Sequence, residues 1–244
     1  MAETVSPIDL TAGSTAELDL PRVKEALARD GYAYVRPVPE GFDYVGQLSR
    51  LGAPIPQFDG VVVREVRPES SVDNSVYSAS NTRELMPHTE WFEYPGNPPR
   101  YVALWCVRQT EGPGGETTLA DAYEFVDRLA PDERRRLEAS VYPWTPSAVL
   151  QRLGIRFEAD HPLLEPVGDE LIVRFPCDDR CDSFDALMDG YLARGRQFFQ
   201  DHEIAVRIEE RALLVWDNWR MMHARHAFTD RVRHLRRVLL AEHV

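Results

Sequence analysis

The segment Pro87-His88-Thr89-Glu90-Trp91 determines how the rest of the chain is interpreted. Side chains alternate between the two faces of an extended strand, so His88 and Glu90 are expected to lie on one face. An imidazole and a carboxylate in this arrangement can occupy adjacent positions on one metal ion, and the pair suits iron, zinc or manganese. His-X-Glu tripeptides also arise by chance, and the alternative is a loop histidine beside a solvated acid.

A metal ion held by this pair needs a third ligand from elsewhere in the chain. His223 is the strongest candidate, at the end of the segment Leu214-Val215-Trp216-Asp217-Asn218-Trp219-Arg220-Met221-Met222-His223. Two histidines and one carboxylate, with positions left open, form the facial triad of non-haem Fe(II) oxygenases. Other histidines compete for this role. His161 precedes Pro162, which indicates a turn, and His226 and His234 flank the proposed site.

Composition limits the class of protein. The chain has 244 residues, a length that fits one domain over residues 1–244, and a net charge of -12. Nucleic-acid binding is not expected, because phosphate contacts need clustered Lys and Arg. No apolar run approaches the ~18 residues of a membrane-spanning helix, and the first residues lack the basic start and apolar core of a signal peptide. We therefore expect a cytoplasmic protein, and its oligomeric state is left open.

The cysteines do not indicate a second metal site. Cys106, Cys177 and Cys181 are an odd set, and the last two have no matching pair elsewhere. A zinc site is therefore not expected there.

Local patterns predict many short strands and a few helices. Helices are predicted at 15–29, 42–51, 122–129, 131–139 and 184–201, the last capped by Asp182 or Ser183. Strands are predicted at 31–35, 61–66, 100–109, 116–120, 142–146, 171–175, 203–208, 212–216 and 232–241, with 203–208 and 212–216 forming a hairpin. Residues 67–86 are predicted to form a loop, and residues 147–170 to be less regular. The pattern indicates a mostly β protein with flanking helices, a double-stranded β-helix or jelly roll.

The final predicted strand carries two arginines on one face. Arg233 and Arg237 share that face and Arg236 lies on the other. A buried guanidinium needs a carboxylate, which it can grip with two hydrogen bonds. Thr117, after the Gly114-Gly115 turn, could add a hydroxyl hydrogen bond to the same carboxylate. An acid held in this way while it chelates a metal would be a 2-oxo diacid.

Four short motifs occur in one order along the chain: His88-Thr89-Glu90, Gly114-Gly115-Glu116-Thr117, Trp216-Asp217-Asn218 with His223, and Arg233-His234-Leu235. Together, in order and approximate spacing, they resemble the taurine dioxygenase-like superfamily of Fe(II)/2-oxoglutarate oxygenases. Glu90 in place of Asp is similar to the clavaminate synthase-like and amino-acid hydroxylase branch. A Gly or Ala at that position would have indicated a halogenase.

This resemblance implies a set of residue roles. His88, Glu90 and His223 would hold Fe(II), and 2-oxoglutarate would chelate the iron while its distal carboxylate meets Arg233, aided by Thr117. O2 would take the last position. Arg237 would bind the same acid or an anionic group of the substrate, and the alternative for it is a salt bridge to an acidic surface.

The expected reaction is oxidation, by hydroxylation in the first instance, of an unactivated C–H bond, with release of succinate and CO2. The substrate would be a small molecule such as an amino acid or a natural-product intermediate. The loop segment Trp91-Phe92-Glu93-Tyr94 favours a partly cationic one. Two other functions use the same His/Glu/His site: a zinc hydrolase and a non-catalytic jelly-roll metal-binding protein.

Overall fold

The computed structural model describes residue 8 and residues 17–39, 41–69, 80–152, 154–177 and 184–243. The strands are β1 (Tyr32–Val35), β2 (Ala53–Ile55), β3 (Val63–Val66), β4 (Leu85–His88), β5 (Tyr101–Arg108), β6 (Thr117–Asp121), β7 (Tyr142–Trp144), β8 (Ala159–His161), β9 (Leu164–Val167), β10 (Glu170–Val173), β11 (Ile204–Val206), β12 (Leu213–Asp217), β13 (Met221–Arg225) and β14 (His234–Ala241). The helices are α1 (Leu20–Asp30), α2 (Tyr44–Leu48), α3 (Ala122–Asp127), α4 (Pro131–Ala139), α5 (Ala148–Arg152) and α6 (Ala186–His202).

Two antiparallel sheets pack face to face. The larger sheet has the strand order β1-β12-β5-β14-β2, with β3 also paired to β14, and the smaller has the order β11-β6-β13-β4. Apolar side chains from both sheets, among them Leu104, Leu119, Trp216 and Leu235, form one buried cluster between them. Two packed antiparallel sheets with helices outside are the double-stranded β-helix, or jelly roll, that the sequence predicts.

Strand alternation directs the site residues into the space between the sheets. On β13, Met222 and Ala224 belong to the core that includes residues of α3 and α6, on the outer side of the smaller sheet. Met221 belongs to the cluster between the sheets. His223 lies two residues beyond Met221, so its side chain is on the inner face.

Two predicted helix starts agree with the structure, Ala122 in α3 and Pro131 in α4. Asp121 caps α3, and α4 spans the predicted residues 131–139. Residues 17–19, predicted as helical, precede α1, which begins at Leu20 with Asp19 accepting from the N–H of Arg22; residues 15 and 16 of the predicted helix lie outside the described residues. The structure has α6 capped by Asp185, and the predicted caps at residues 182 and 183 lie outside the described residues.

The predicted hairpin of residues 203–208 and 212–216 is wrong. β11 pairs with β6 in the smaller sheet, whereas β12 pairs with β1 and β5 in the larger one. Arg211, at φ 61, lies in the connection that crosses between the sheets. Residues 147–170, expected to be less regular, contain α5, β8, β9 and the first residue of β10.

β14 begins at His234 rather than at residue 232. Asp230 Oδ1 accepts hydrogen bonds from the N–H groups of Val232 and Arg233, at 3.0 and 3.2 Å, which keeps them out of the strand ladder.

No helix among the described residues is both long and apolar enough to cross a membrane.

Candidate metal centre and cofactor site

The three predicted ligands come together between the sheets. His88 and His223 are Cα partners on β4 and β13, and their ring centroids are 4.1 Å apart. Glu90 Oε2 lies 3.7 Å from His223 Nε2. All three side chains are buried, and one ligand atom from each lies within 4.8 Å of the others. Among the described residues, this is the only group of three or more His, Cys, Asp or Glu side chains with such spacing.

The hydrogen bond of His88 fixes which ring nitrogen faces the cluster. His88 Nδ1 lies 2.9 Å from the carbonyl oxygen of Met86. A carbonyl can only accept, so Nδ1 carries a proton, and in the neutral ring Nε2 is then the unprotonated nitrogen. An unprotonated Nε2 with its partner nitrogen tied to a carbonyl is the usual state of a metal-binding histidine.

The competing histidines lie elsewhere. His161 is buried on β8 and stacks on Trp144, with ring centroids 5.0 Å apart. Burial, together with the charge of Arg174, lowers the pKa of His161 to about 4, so the ring is neutral at pH 7. His226 lies between two carboxylates, Glu116 at 3.4 Å and Glu203 at 3.3 Å. His234 contacts Glu65.

Glu90 is held from the larger sheet by Arg237. Arg237 Nη1 donates to Glu90 Oε2 at 2.9 Å, and its Nε and Nη2 donate to Gln57 Oε1 at 3.0 and 2.8 Å. Arg237 therefore contacts the candidate metal ligand directly rather than an acidic surface. Sequence reasoning missed Gln57, because nothing in its local pattern links a loop residue to a strand 180 positions later.

Arg233 is a buried guanidinium without a carboxylate. Its side chain is 5% exposed, and its Nε donates to the Gly115 carbonyl at 3.0 Å. No acidic side chain of the described residues lies within ion-pair distance of it, and burial lowers its pKa to about 10. An unmatched buried cation is costly, so this position suits the carboxylate of a ligand.

Gly115 allows Arg233 to approach the start of β6. Gly115 has φ 80, and a Cβ there would lie 2.7 Å from Thr110 Cγ2 and 3.3 Å from Arg233 Cδ. Thr117, two residues later, is 3% exposed. Strand alternation puts Thr117 on the same face of β6 as Leu119, which belongs to the cluster between the sheets.

A second buried arginine shares this end of the site. Arg225 is two residues after His223 on β13, and its Nη2 donates to Asn81 Oδ1 at 2.8 Å and to the Arg83 carbonyl at 2.5 Å. The Phe228 ring lies 5.3 Å from the Arg225 guanidinium and 5.4 Å from that of Arg233. Two guanidinium groups at one buried position favour an anionic ligand.

The aromatic loop after Glu90 divides into two parts. Trp91 and Tyr94 pack together with Phe58, with ring centroids 4.7 to 5.6 Å apart. Phe92 points the other way, into the core under α3 and α6. Glu93 is 6% exposed. Only Trp91 and Tyr94 of this loop therefore join the aromatic cluster that borders Glu90.

The model of one known protein family matches almost the whole chain. The model of the family described as "Taurine catabolism dioxygenase TauD, TfdA family" matches residues 2–239. No curated protein matches the chain.

Several solved structures have the same fold. An asparagine oxygenase in complex with Fe(II), 2S,3S-3-hydroxyasparagine and succinate has a TM-score of 0.73 and 19% identity, over 91% of this chain and 79% of that one. The non-heme iron oxygenase OrfP, in complex with Fe and alpha-ketoglutaric acid, has a TM-score of 0.69 and 19% identity, over 92% and 79%. PvcB from Pseudomonas aeruginosa has a TM-score of 0.63 and 20% identity, over 92% and 81%.

Proposed function

The chain belongs to the taurine catabolism dioxygenase TauD, TfdA family, and from this premise we propose that His88, Glu90 and His223 hold the iron of an amino-acid-type oxygenase. As a member of this family the protein is an Fe(II)- and 2-oxoglutarate-dependent dioxygenase, with O2 as co-substrate. The residue roles and the substrate class are the proposal. The observation that carries it is the convergence of the three ligands beside a buried arginine that lacks a carboxylate.

The donor set fits Fe(II). Two imidazoles and one carboxylate on one side of an ion leave positions for other ligands, as non-haem Fe(II) oxygenases require. Nδ1 of His88 keeps its proton through the Met86 carbonyl, which presents Nε2 to the metal. Glu90 supplies one negative charge, and Arg237 holds its Oε2 at 2.9 Å, so rotation of the carboxylate is restricted.

Arg233 is the proposed anchor of 2-oxoglutarate. Its guanidinium would donate two hydrogen bonds to the distal carboxylate, and the Thr117 hydroxyl would add a third. The charge of Arg225, across the Phe228 ring, favours the same dianion. A zinc hydrolase or a metal-storing jelly roll has no use for this pair of buried cations, so neither alternative explains them.

The bound metal, 2-oxoglutarate and O2 would supply the oxidation of an unactivated C–H bond, with succinate and CO2 as the other products. The protein's part is to orient these groups and to exclude water. Trp91, Tyr94 and Phe58 would exclude water on the side of Glu90, because they pack as one cluster next to it.

We propose a small carboxylate-bearing substrate, an amino acid or a natural-product intermediate, with hydroxylation as the outcome. Arg237 supports a carboxylate, because Gln57 and Glu90 accept three of its five N–H groups and the other two would donate to the substrate. The solved structures of similar fold include complexes with 3-hydroxyasparagine and (3S)-hydroxy-L-Arg. The acidic Glu93 gives little support for a cationic substrate, since its side chain is buried in the loop.

Succinate release tests this proposal. The purified chain, with Fe(II), ascorbate and 2-oxoglutarate, would be screened against a panel of free amino acids and their amine and acid derivatives. At least one carboxylate-bearing compound is expected to stimulate succinate formation and to gain one oxygen atom by mass. His88→Ala should abolish both signals, and His226→Ala, which changes a surface histidine, should not. Stimulation that persists in His88→Ala would refute the assignment of the site.

A further inference from the structure

The backbone of Glu90 is held by one side chain from the turn between β12 and β13. Glu90 lies two residues beyond the last residue of β4. Its N–H donates to Asn218 Oδ1 at 2.7 Å, and its carbonyl accepts from Asn218 Nδ2 at 3.0 Å. Asn218 is fully buried in the turn between β12 and β13. Among the described residues, these are the hydrogen bonds that the Glu90 backbone makes.

The other two proposed ligands are positioned differently. His88 and His223 are direct partners in the β4–β13 ladder, and β13 is also paired with β6. The main-chain ladder therefore fixes both histidines. Glu90 has left that ladder, so its backbone depends on a side chain.

The residue after Glu90 makes this dependence stronger. Trp91 has φ 60, a left-handed conformation that bulky residues rarely adopt. The N–H of Tyr94 then donates to the Trp91 carbonyl at 3.0 Å, which closes a sharp turn. If the peptide between Glu90 and Trp91 were released, the turn would relax toward ordinary backbone angles. The Glu90 carboxylate would rotate away from the histidines as a result.

Asn218 also closes the far end of the same loop. Its Nδ2 donates to the Pro99 carbonyl at 3.0 Å, and its own N–H donates to the Arg100 carbonyl at 2.8 Å. One amide thus joins residue 90 to residue 99 and fixes both ends of the loop between them. The side-chain amide of Asn218 and its own N–H all bond to backbone groups, so Asn218 acts on the site through Glu90.

We propose that Asn218 is the positioning residue of Glu90, which aims the carboxylate at the metal by clamping the Glu90 peptide and the loop of residues 91–99. The inference rests on the proposed function, since it takes Glu90 as a metal ligand. It differs from the role of Arg237, which contacts the carboxylate itself. Loss of Asn218 should therefore weaken metal binding although Asn218 does not touch the metal.

Trp219 provides a matched control. It is the next residue, is 1% exposed, and its Nε1 donates to the Pro98 carbonyl at 3.0 Å. Trp219→Phe removes one buried hydrogen bond between the β12–β13 turn and the loop of residues 91–99. It leaves the hydrogen bonds of the Glu90 backbone in place. A general loss of packing in this turn would affect both variants.

Binding of Co(II), followed by its visible absorption, provides the first readout on the full chain without any turnover. Asn218→Ala is expected to bind Co(II) about 10- to 100-fold more weakly than wild type, which is the usual effect of removing a residue that orients a metal ligand. The Co(II) affinity of Trp219→Phe should stay within about threefold of wild type. Asn218→Ser, which keeps a polar group in the space, replaces Asn218→Ala if the latter does not fold, as judged by circular dichroism.

Hydrogen exchange of the Glu90 amide in the metal-free protein provides the second readout. Its protection should fall in Asn218→Ala and remain in Trp219→Phe, because only the first change removes its acceptor. A folded Asn218→Ala that binds Co(II) as wild type does would overturn the inference, and so would equal losses in both variants. Failure of the inference about Asn218 can be distinguished from failure of the proposed metal site. If wild type does not bind Co(II), or if Glu90→Ala binds it equally well, the proposed ligands are wrong and the inference falls with them.

Discussion

Each proposed iron ligand is held by a different type of contact. His88 is fixed by its Nδ1 contact to the Met86 carbonyl and by the strand ladder. His223 lies in the middle of β13, with the Trp216 ring 4.8 Å away. The Glu90 carboxylate contacts Arg237. A change at Arg237 would therefore disturb the metal as well as any bound acid, and Arg233 is the better residue for testing 2-oxoglutarate.

Arg233→Ala should weaken 2-oxoglutarate binding strongly. A carboxylate left unpaired in a buried position costs about 2–5 kcal/mol, or roughly 30- to 5000-fold in affinity. Arg233→Lys should restore only part of this, because an ammonium cannot form the planar two-bond contact. Anaerobic titration of the Fe(II) protein with 2-oxoglutarate, followed by the metal-to-ligand charge-transfer band, measures the affinities.

Arg236 is the matched control for this titration. It lies on the same strand, on the other face, and contacts Glu65, so Arg236→Ala should bind 2-oxoglutarate as wild type does. If Arg233→Ala also retained wild-type affinity while Arg237→Ala lost it, the two arginines would exchange roles.

At the scale of the elements, period-two alternation predicts β14 well. Leu235 and Leu239 belong to the cluster between the sheets, and Val238 and Leu240 to the core on the outer side. Arg237 therefore lies on the inner face, whereas Arg233 precedes β14 and is buried against the Gly115 carbonyl. Alternation cannot say which strand is the neighbour, and this is why the hairpin of β11 and β12 was predicted wrongly.

The turn before β6 is expected to control both stability and co-substrate binding. Gly115→Ala introduces a Cβ at positive φ, 2.7 Å from Thr110 Cγ2, and should destabilise the protein by about 1–3 kcal/mol through backbone strain alone. It should also weaken 2-oxoglutarate binding, because the same Cβ would press on Arg233. Urea unfolding and the charge-transfer titration measure the two effects.

Gly168, in the turn between β9 and β10, provides the comparison. It has φ 60, and a Cβ there would meet nothing within 4 Å. Gly168→Ala should show the backbone strain without the loss of 2-oxoglutarate affinity. Equal 2-oxoglutarate affinity in the two variants would indicate that Gly115 does not support Arg233.

At the scale of the whole molecule, the sequence predicts the jelly roll from its many short strands, and it predicts that His88, Glu90 and His223 converge from their place in an ordered set of short motifs. It does not predict the contacts that connect them. Gln57 with Arg237, Asn81 with Arg225, and Asn218 with Glu90 join segments far apart in the chain. Such pairs are set by how the two sheets pack, and no local pattern encodes that. The assignment of residues 1–244 to one domain stays a prediction.

The stability of the whole protein should depend on His161 at mildly acidic pH. Burial, with the nearby charge of Arg174, lowers the pKa of His161 from 6.5 to about 4. The unfolded chain takes up a proton below pH 6.5 and the folded chain does not until about pH 4. Stability that is present above pH 6.5 should therefore be lost as the pH falls through this window, by about 2–3 kcal/mol.

His161→Phe tests this dependence. A phenyl ring can keep the stacking on Trp144 but cannot take up a proton. Urea unfolding at several pH values between 7 and 4 should show a smaller loss of stability in the variant than in wild type. Identical pH profiles would mean that His161 is not the group responsible.

The most direct measurement is anomalous diffraction at the iron edge, from crystals grown without oxygen in Fe(II) and 2-oxoglutarate. A single peak is expected within bonding distance of His88 Nε2, the Glu90 carboxylate and the His223 ring. Density for 2-oxoglutarate should extend from it to the Arg233 guanidinium. A peak beside His161, or between His226 and its two carboxylates, would contradict the proposed metal centre.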